Sequence, residues 1–175
     1  DSDWGGRRGI RKSTSGGLVM LGKHSIKTWS STQGAVALSS AEAEFYAMIE
    51  AVVRSKGVLS VMKEVGFLVT DKVQLFTDSS AAKSFVSRTG LGRMKHLEIR
   101  DLWLQREVGL GKVLVNKVEG PRNPADLLTK YLKRWEIELR LKLMGLRIQW
   151  SQDFGDEDGD MLNKEINALG WSLLR

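Results

Sequence analysis

Two acids stand two positions apart in the stretch Ser39-Ser40-Ala41-Glu42-Ala43-Glu44-Phe45-Tyr46-Ala47. Side chains two apart on a helix do not share a face, so Glu42 and Glu44 serve different ends. Ser39, three residues before Glu42, completes the pattern of a capping box. The hydroxyl accepts the Glu42 amide and the Glu42 carboxylate returns to the amide of Ser39. Glu44 has no such part to play. It sits among Ala43, Phe45, Ala47 and Met48 on a helix that must bury apolar surface. A carboxylate there is costly unless it is paired or holds a cation. Three further acids are placed to join it. Asp78 directly follows one strand-like run, Asp126 lies in the first turn of a helix that follows another, and Asp1 stands where a preceding strand would end. Sites in open α/β sheets collect at the carboxyl ends of strands, so Asp1, Glu44, Asp78 and Asp126 are expected to meet at one edge. An all-oxygen set suits Mg²⁺ or Mn²⁺ and not zinc. Two such ions held about 4 Å apart activate a water and stabilise the leaving oxygen in phosphodiester hydrolysis. Local uses compete with this reading: Asp78 ahead of Ser79 suits a helix N-cap, Asp126 suits a helix dipole, and Asp3 rivals Asp1.

These acids need elements to carry them. Gly17 to Leu21 and Ile26 to Ser30 read as strands joined by a turn at Gly22-Lys23-His24, while Asp1 to Gly6 reads as a short polar segment and Arg7 to Lys12 as a basic loop. The helix opened by Ser39 runs to about Val65, with Phe45, Met48, Ile49 and Val52 at helical spacing, and Gly66 ends it. Lys72 to Thr77 is a strand, Ser79 to Ser87 a short helix, Met94 to Val108 a long helix and Lys112 to Val118 another strand. Asn123 caps a helix with Pro124 at its first position, and Trp135 to Met144 is a further helix. The order describes an α/β fold with a sheet flanked by helices. Its first strand would lie upstream of Asp1.

The chain of 175 residues suits one domain with an appendage, and it contains no cysteine, which removes disulfides and thiolate metal sites. No apolar run reaches the roughly 20 residues of a membrane span. No leader is visible and the first residue is not Met, so the chain reads as an intracellular fragment of a longer polypeptide. Residues 151–175 carry −4, which leaves +10 of the net +6 on the rest. A basic body points to a polyanionic partner, nucleic acid first. The acidic residues 151–160 read as a flexible link, and Met161 to Leu174 as a weak terminal helix.

Several motifs in unbroken order resemble the ribonuclease H domain of copia-type LTR retrotransposon polyproteins. They are Asp1-Ser2-Asp3-Trp4, Arg11-Lys12-Ser13-Thr14-Ser15-Gly16-Gly17, Trp29-Ser30-Ser31 and Val36 through Phe45. Thr77-Asp78-Ser79-Ser80-Ala81-Ala82, Lys95 through Arg100, and Asn123-Pro124-Ala125-Asp126-Leu127-Leu128-Thr129-Lys130 continue the series. The resemblance covers residues 1–146 and leaves 147–175 outside it. It implies a ribonuclease H-like fold with a mixed central sheet and flanking helices, its first strand truncated at the N-terminus. It also implies a two-metal nuclease, using Mg²⁺ or Mn²⁺, that cuts the RNA strand of an RNA–DNA hybrid beside other polyprotein domains such as a reverse transcriptase. The family's four acids fall on Asp1, Glu44, Asp78 and Asp126. Many ribonucleases H place a histidine before the last helix, whereas Glu119-Gly120-Pro121-Arg122 has none.

Arg93, His96 and Arg100 fall at helical spacing and, with the adjacent Lys95, form a basic stripe suited to phosphates. Arg11 and Lys12, with Arg7 and Arg8, form a second basic group near Asp1. Trp4 and Trp29 are expected in the core. The rival to an enzyme is a catalytically dead remnant that only binds nucleic acid or serves as a structural piece.

Overall fold

The computed structural model describes residues 1–147 apart from Arg8, residues 93–95 and Glu98, with the backbone alone for Ile99 and Arg100. The expected acidic link and terminal helix therefore lie outside the described residues.

Three strands, β1 (Ser2–Arg7), β2 (Lys12–Leu21) and β3 (His24–Thr32), form an antiparallel meander in that spatial order. Segment 1–6, read from sequence as a polar segment, is thus mostly strand. Its pairing supplies what its side chains do not: Ser2 lies opposite Ser15 and Asp3 opposite Thr14. The ladder is irregular between Asp3 and Arg7, where Gly5 has φ +66° and its amide donates to Ser13 Oγ at 3.0 Å. Gly17 permits a close approach: a Cβ there would lie 2.2 Å from the Trp29 ring, which packs across the strand.

α1 (Ser40–Glu64) crosses this sheet. Phe45, Met48 and Val52 recur at helical spacing and are buried, each contributing roughly 1.5–3 kcal/mol. They meet Val73 and Leu75 of β4 (Val73–Thr77), Phe85 and Val86 of α2 (Ser80–Val86), Leu104 of α3 (Trp103–Gly109) and Val113 of β5 (Val113–Lys117). Phe45 and Phe85 pack edge to face with centroids 4.8 Å apart. At the far end of α1, Gly66 adopts φ +86° while Phe67 N donates to Met62 O at 2.9 Å, a Schellman closure. α4 (Arg134–Leu143) closes the chain's described part.

Four features differ from the sequence expectation. β4 and β5 pair in parallel in register Val73↔Val113 to Thr77↔Lys117, but this pair has no ladder to the meander. Parallel and antiparallel pairing are both present, yet not in one hydrogen-bonded sheet. Between the two sheets lies a cleft of about 800 Å³, lined by Leu18 and Met20 of β2, Met48 and Leu59 of α1, and Val73 and Leu75 of β4. The long helix expected over Met94 to Val108 is instead a turn at His96, a 3₁₀ turn over Ile99–Leu102 and α3. The helix capped by Asn123 is a five-residue 3₁₀ turn, Pro124–Leu128. Trp4 is 58% exposed rather than in the core. It is held by a 3.0 Å bond from Nε1 to Ala37 O, ahead of α1. Trp29 is buried, with the Arg54 guanidinium 4.9 Å from its ring centroid.

Candidate metal centre

Asp1 immediately precedes β1 and is held by the meander. Its carbonyl accepts from Gly16 N at 2.9 Å and its amine donates to Gly16 O at 3.0 Å. Asp78 follows the last residue of β4. The cap of α2 falls to Ser79, whose hydroxyl accepts from Ala82 N at 3.2 Å, so the Asp78 carboxylate is free of that duty. Asp126 lies in the 3₁₀ turn Pro124–Leu128, which Asn123 caps by accepting from Ala125 N at 3.2 Å.

That turn is brought to Asp1 by Gly16. A Cβ at Gly16 would lie 2.7 Å from Leu128 Cβ and 2.6 Å from Thr129 Cγ2. Only a residue without a side chain lets the turn sit down on β2. The result is convergence: carboxylate oxygens of Asp1, Asp78 and Asp126 lie within 4.8 Å of one another. Three acids from sequence-distant segments thus share one edge, at the ends of β4 and the start of β1.

Glu44 is placed differently. It is 8% exposed, and its Oε1 accepts from Ser2 N at 2.8 Å and Ser2 Oγ at 3.0 Å. It therefore does have a structural part, fastening α1 to β1 beside Asp1, which the sequence did not suggest. Its Oε2 is buried with no hydrogen-bond partner among the described residues. A buried carboxylate oxygen without a donor is costly. Glu42 accepts from Leu38 N at 2.9 Å, one residue upstream of the expected Ser39, while its own amide donates to Ser39 Oγ at 3.2 Å. Tyr46 Oη and His96 Nε2 also reach its carboxylate, at 3.1 and 2.8 Å.

Three cation-bearing or hydroxyl side chains at the acids were not singled out from sequence. Thr129 Oγ1 donates to Asp1 Oδ2. Lys130 Nζ lies 3.1 Å from Asp1 Oδ1 and 2.7 Å from Asp126 Oδ1. Arg140 Nη2, itself 5% exposed at the side chain, lies 2.8 Å from Asp126 Oδ2. The Lys130 contact was legible as an i, i+4 pair from Asp126. Arg140 lies on α4 and only the tertiary fold brings it in.

The basic groups are less assembled. His96 is half-exposed in a turn and bound to Glu42, so helical spacing does not align it with Arg100, whose backbone is in the 3₁₀ turn Ile99–Leu102. Arg93 and Lys95 lie outside the described residues. Arg11 is exposed at φ +52°, and Lys12 Nζ donates to Gly34 O at 2.6 Å. Among the described residues no helix is long and apolar enough to cross a membrane.

The α/β fold thus brings three carboxylates together beside a buried, half-satisfied glutamate. The chain's relatives are retrovirus-related Pol polyproteins of plant transposons. It is 32% identical over 148 residues to the Pol polyprotein from transposon TNT 1-94 of Nicotiana tabacum, covering 83% of this chain and 11% of that protein. It is 31% identical over 135 residues to that from transposon RE1 of Arabidopsis thaliana, covering 77% of this chain and 9% of that protein. A third, from transposon RE2 of the same plant, is 30% identical over 135 residues. The chain spans about a tenth of the length of these relatives. No family model and no solved structure matches it.

Proposed function

We propose that this chain is a ribonuclease H domain of a copia-type retrotransposon Pol polyprotein, hydrolysing the RNA strand of an RNA–DNA hybrid. The observation that carries the reading is the convergence of Asp1, Asp78 and Asp126 within 4.8 Å, beside a Glu44 whose Oε2 is buried and unpartnered. The donor set is all oxygen, which fits Mg²⁺ or Mn²⁺. Two such ions, when bound, supply an activated water and a stabilised leaving oxygen. Asp1, Asp78, Asp126 and Glu44 would hold them. The protein's own part is placement. Gly16 seats the Asp126 turn on β2, and Ser2 fixes Glu44 beside Asp1. The fold proposed is ribonuclease H-like, with an upstream strand joining the two sheets through the cleft. Partners are the hybrid, read by shape and 2′-hydroxyls more than by base sequence, and the other domains of the parent polyprotein, the reverse transcriptase among them.

The alternative, a non-catalytic remnant that binds nucleic acid, is favoured by one feature: Lys130 and Arg140 already neutralise Asp126. The two readings separate on a hybrid labelled on either strand. The enzyme cleaves only the RNA strand, with Mg²⁺ and not with chelator; the remnant binds and cleaves neither.

A further inference from the structure

Every carboxylate oxygen of Asp1 and Asp126 has a donor. Thr129 Oγ1 serves Asp1 Oδ2, Arg140 Nη2 serves Asp126 Oδ2, and Lys130 Nζ bridges the remaining two. A cation entering between these acids meets the ammonium that bridges them. The donors differ in how readily they leave. Arg140 is buried and its Nη1 also donates to Glu136 O at 3.3 Å. The Lys130 side chain is 42% exposed, on a flexible stem whose ammonium is well hydrated once free.

We infer that Lys130 is a built-in counter-cation: it holds Asp1 and Asp126 together in the metal-free protein and competes with the divalent ion for them. The inference rests on the metal-centre reading of the proposed function. Without Lys130 the Asp1 and Asp126 carboxylates face each other with Arg140 compensating Asp126 alone, which destabilises the metal-free form. With it, metal entry must release the ammonium to solvent. The coupling is reciprocal: what Lys130 takes from metal affinity, bound metal takes from the Lys130 contact.

Two measurements without nucleic acid test this. Free Mn²⁺ is titrated by electron paramagnetic resonance against the wild-type chain, Lys130→Met and Lys130→Arg. The methionine variant is expected to bind Mn²⁺ about fivefold or more tightly, within the usual range of coupling between sites, whereas the arginine variant, which keeps the charge, is not. In the wild-type chain, labelling of the Lys130 amine by an acylating reagent, read by mass spectrometry, is expected to speed up when Mn²⁺ is added. Lys56, paired with Glu107, serves as the internal reference. Equal or weaker binding by Lys130→Met, with Mn²⁺ still bound by the wild type, overturns the counter-cation and leaves the metal centre standing. No Mn²⁺ binding by any of the three overturns both. If the methionine variant does not fold, wild-type labelling decides alone, and an unchanged rate at saturating Mn²⁺ overturns the inference.

Discussion

Ser2 donates both its amide and its hydroxyl to the same oxygen of Glu44, at 2.8 and 3.0 Å, and leaves the other oxygen bare in a buried site. One carboxylate thus does two things. Its bonded half fastens α1 to β1, and its bare half faces the question of what it holds. Glu44→Gln keeps an acceptor for Ser2 and should cost little stability. Glu44→Ala leaves the Ser2 amide and hydroxyl without that acceptor and should cost about 1–3 kcal/mol. Urea unfolding of the two variants measures the difference. Equal costs would mean that the Ser2 bonds contribute nothing.

Gly16 sets the distance between Asp1 and Asp126. Gly16→Val pushes a side chain into Leu128 and Thr129, which must move away from β2. The expected cost is about 1–3 kcal/mol, as for overpacking elsewhere, together with weaker Mn²⁺ binding. A folded Gly16→Val chain with unchanged Mn²⁺ affinity would show that the turn's seat on β2 does not build the centre.

Glu107 accepts from Lys56, and that hydrogen bond, with the lysine's charge, holds its pKa below the ordinary 4.5. The folded value is depressed, so the contribution is full above the unfolded value and is lost as pH falls through the folded one. The Lys56 side chain is a third exposed, so screening keeps the contribution at about 1 kcal/mol. Glu107→Gln should lower stability at neutral pH and flatten its decline below about pH 4.5. A wild-type profile and a Glu107→Gln profile that run parallel from pH 7 to pH 3 on the ordinary carboxylate scale would contradict this.

The cleft between β2 and β4 is open along two strand edges. Asp1 pairs with Gly16, so residues ahead of it would run antiparallel to Gly17 through Leu21, and alongside β4, whose end at Asp78 meets Asp1. A chain carrying a short apolar, β-forming extension ahead of Asp1 should close one sheet. Hydrogen exchange should then slow at the open-edge amides of β4 by about tenfold or more, as 1.4 kcal/mol of added protection would give. Unchanged exchange there would mean that the extension does not enter the cleft.

Much of the fold could be read from side-chain pattern. The α1 stripe of Phe45, Met48 and Val52, the Gly66 stop, the strand over 73–77 and the Asn123-Pro124 start all report local physics, and local physics determines them. β1 was hidden because Ser2, Asp3, Gly5 and Gly6 carry no strand preference; pairing with Ser15 and Thr14 makes the strand. Trp4 looked like core because of its size, but size alone does not bury a tryptophan, and this one spends its polar Nε1 on Ala37 O while most of the side chain stays exposed. The acids at 78 and 126 were legible because strand ends and helix starts are marked in sequence. Glu44's bonds to Ser2, the Arg140 contact and the seat at Gly16 span distances that no local pattern encodes.

The central claim is metal-dependent hydrolysis at the Asp1, Glu44, Asp78 and Asp126 edge. It is tested most directly by cleavage of an RNA-labelled RNA–DNA hybrid in Mg²⁺, comparing the chain extended ahead of Asp1 with its Glu44→Gln variant. The account predicts RNA-strand cutting by the extended chain and a loss of about 100-fold or more with glutamine, as removal of one charge-stabilising group commonly gives. An inactive extended chain, or a glutamine variant that cuts as fast as its parent, would contradict it.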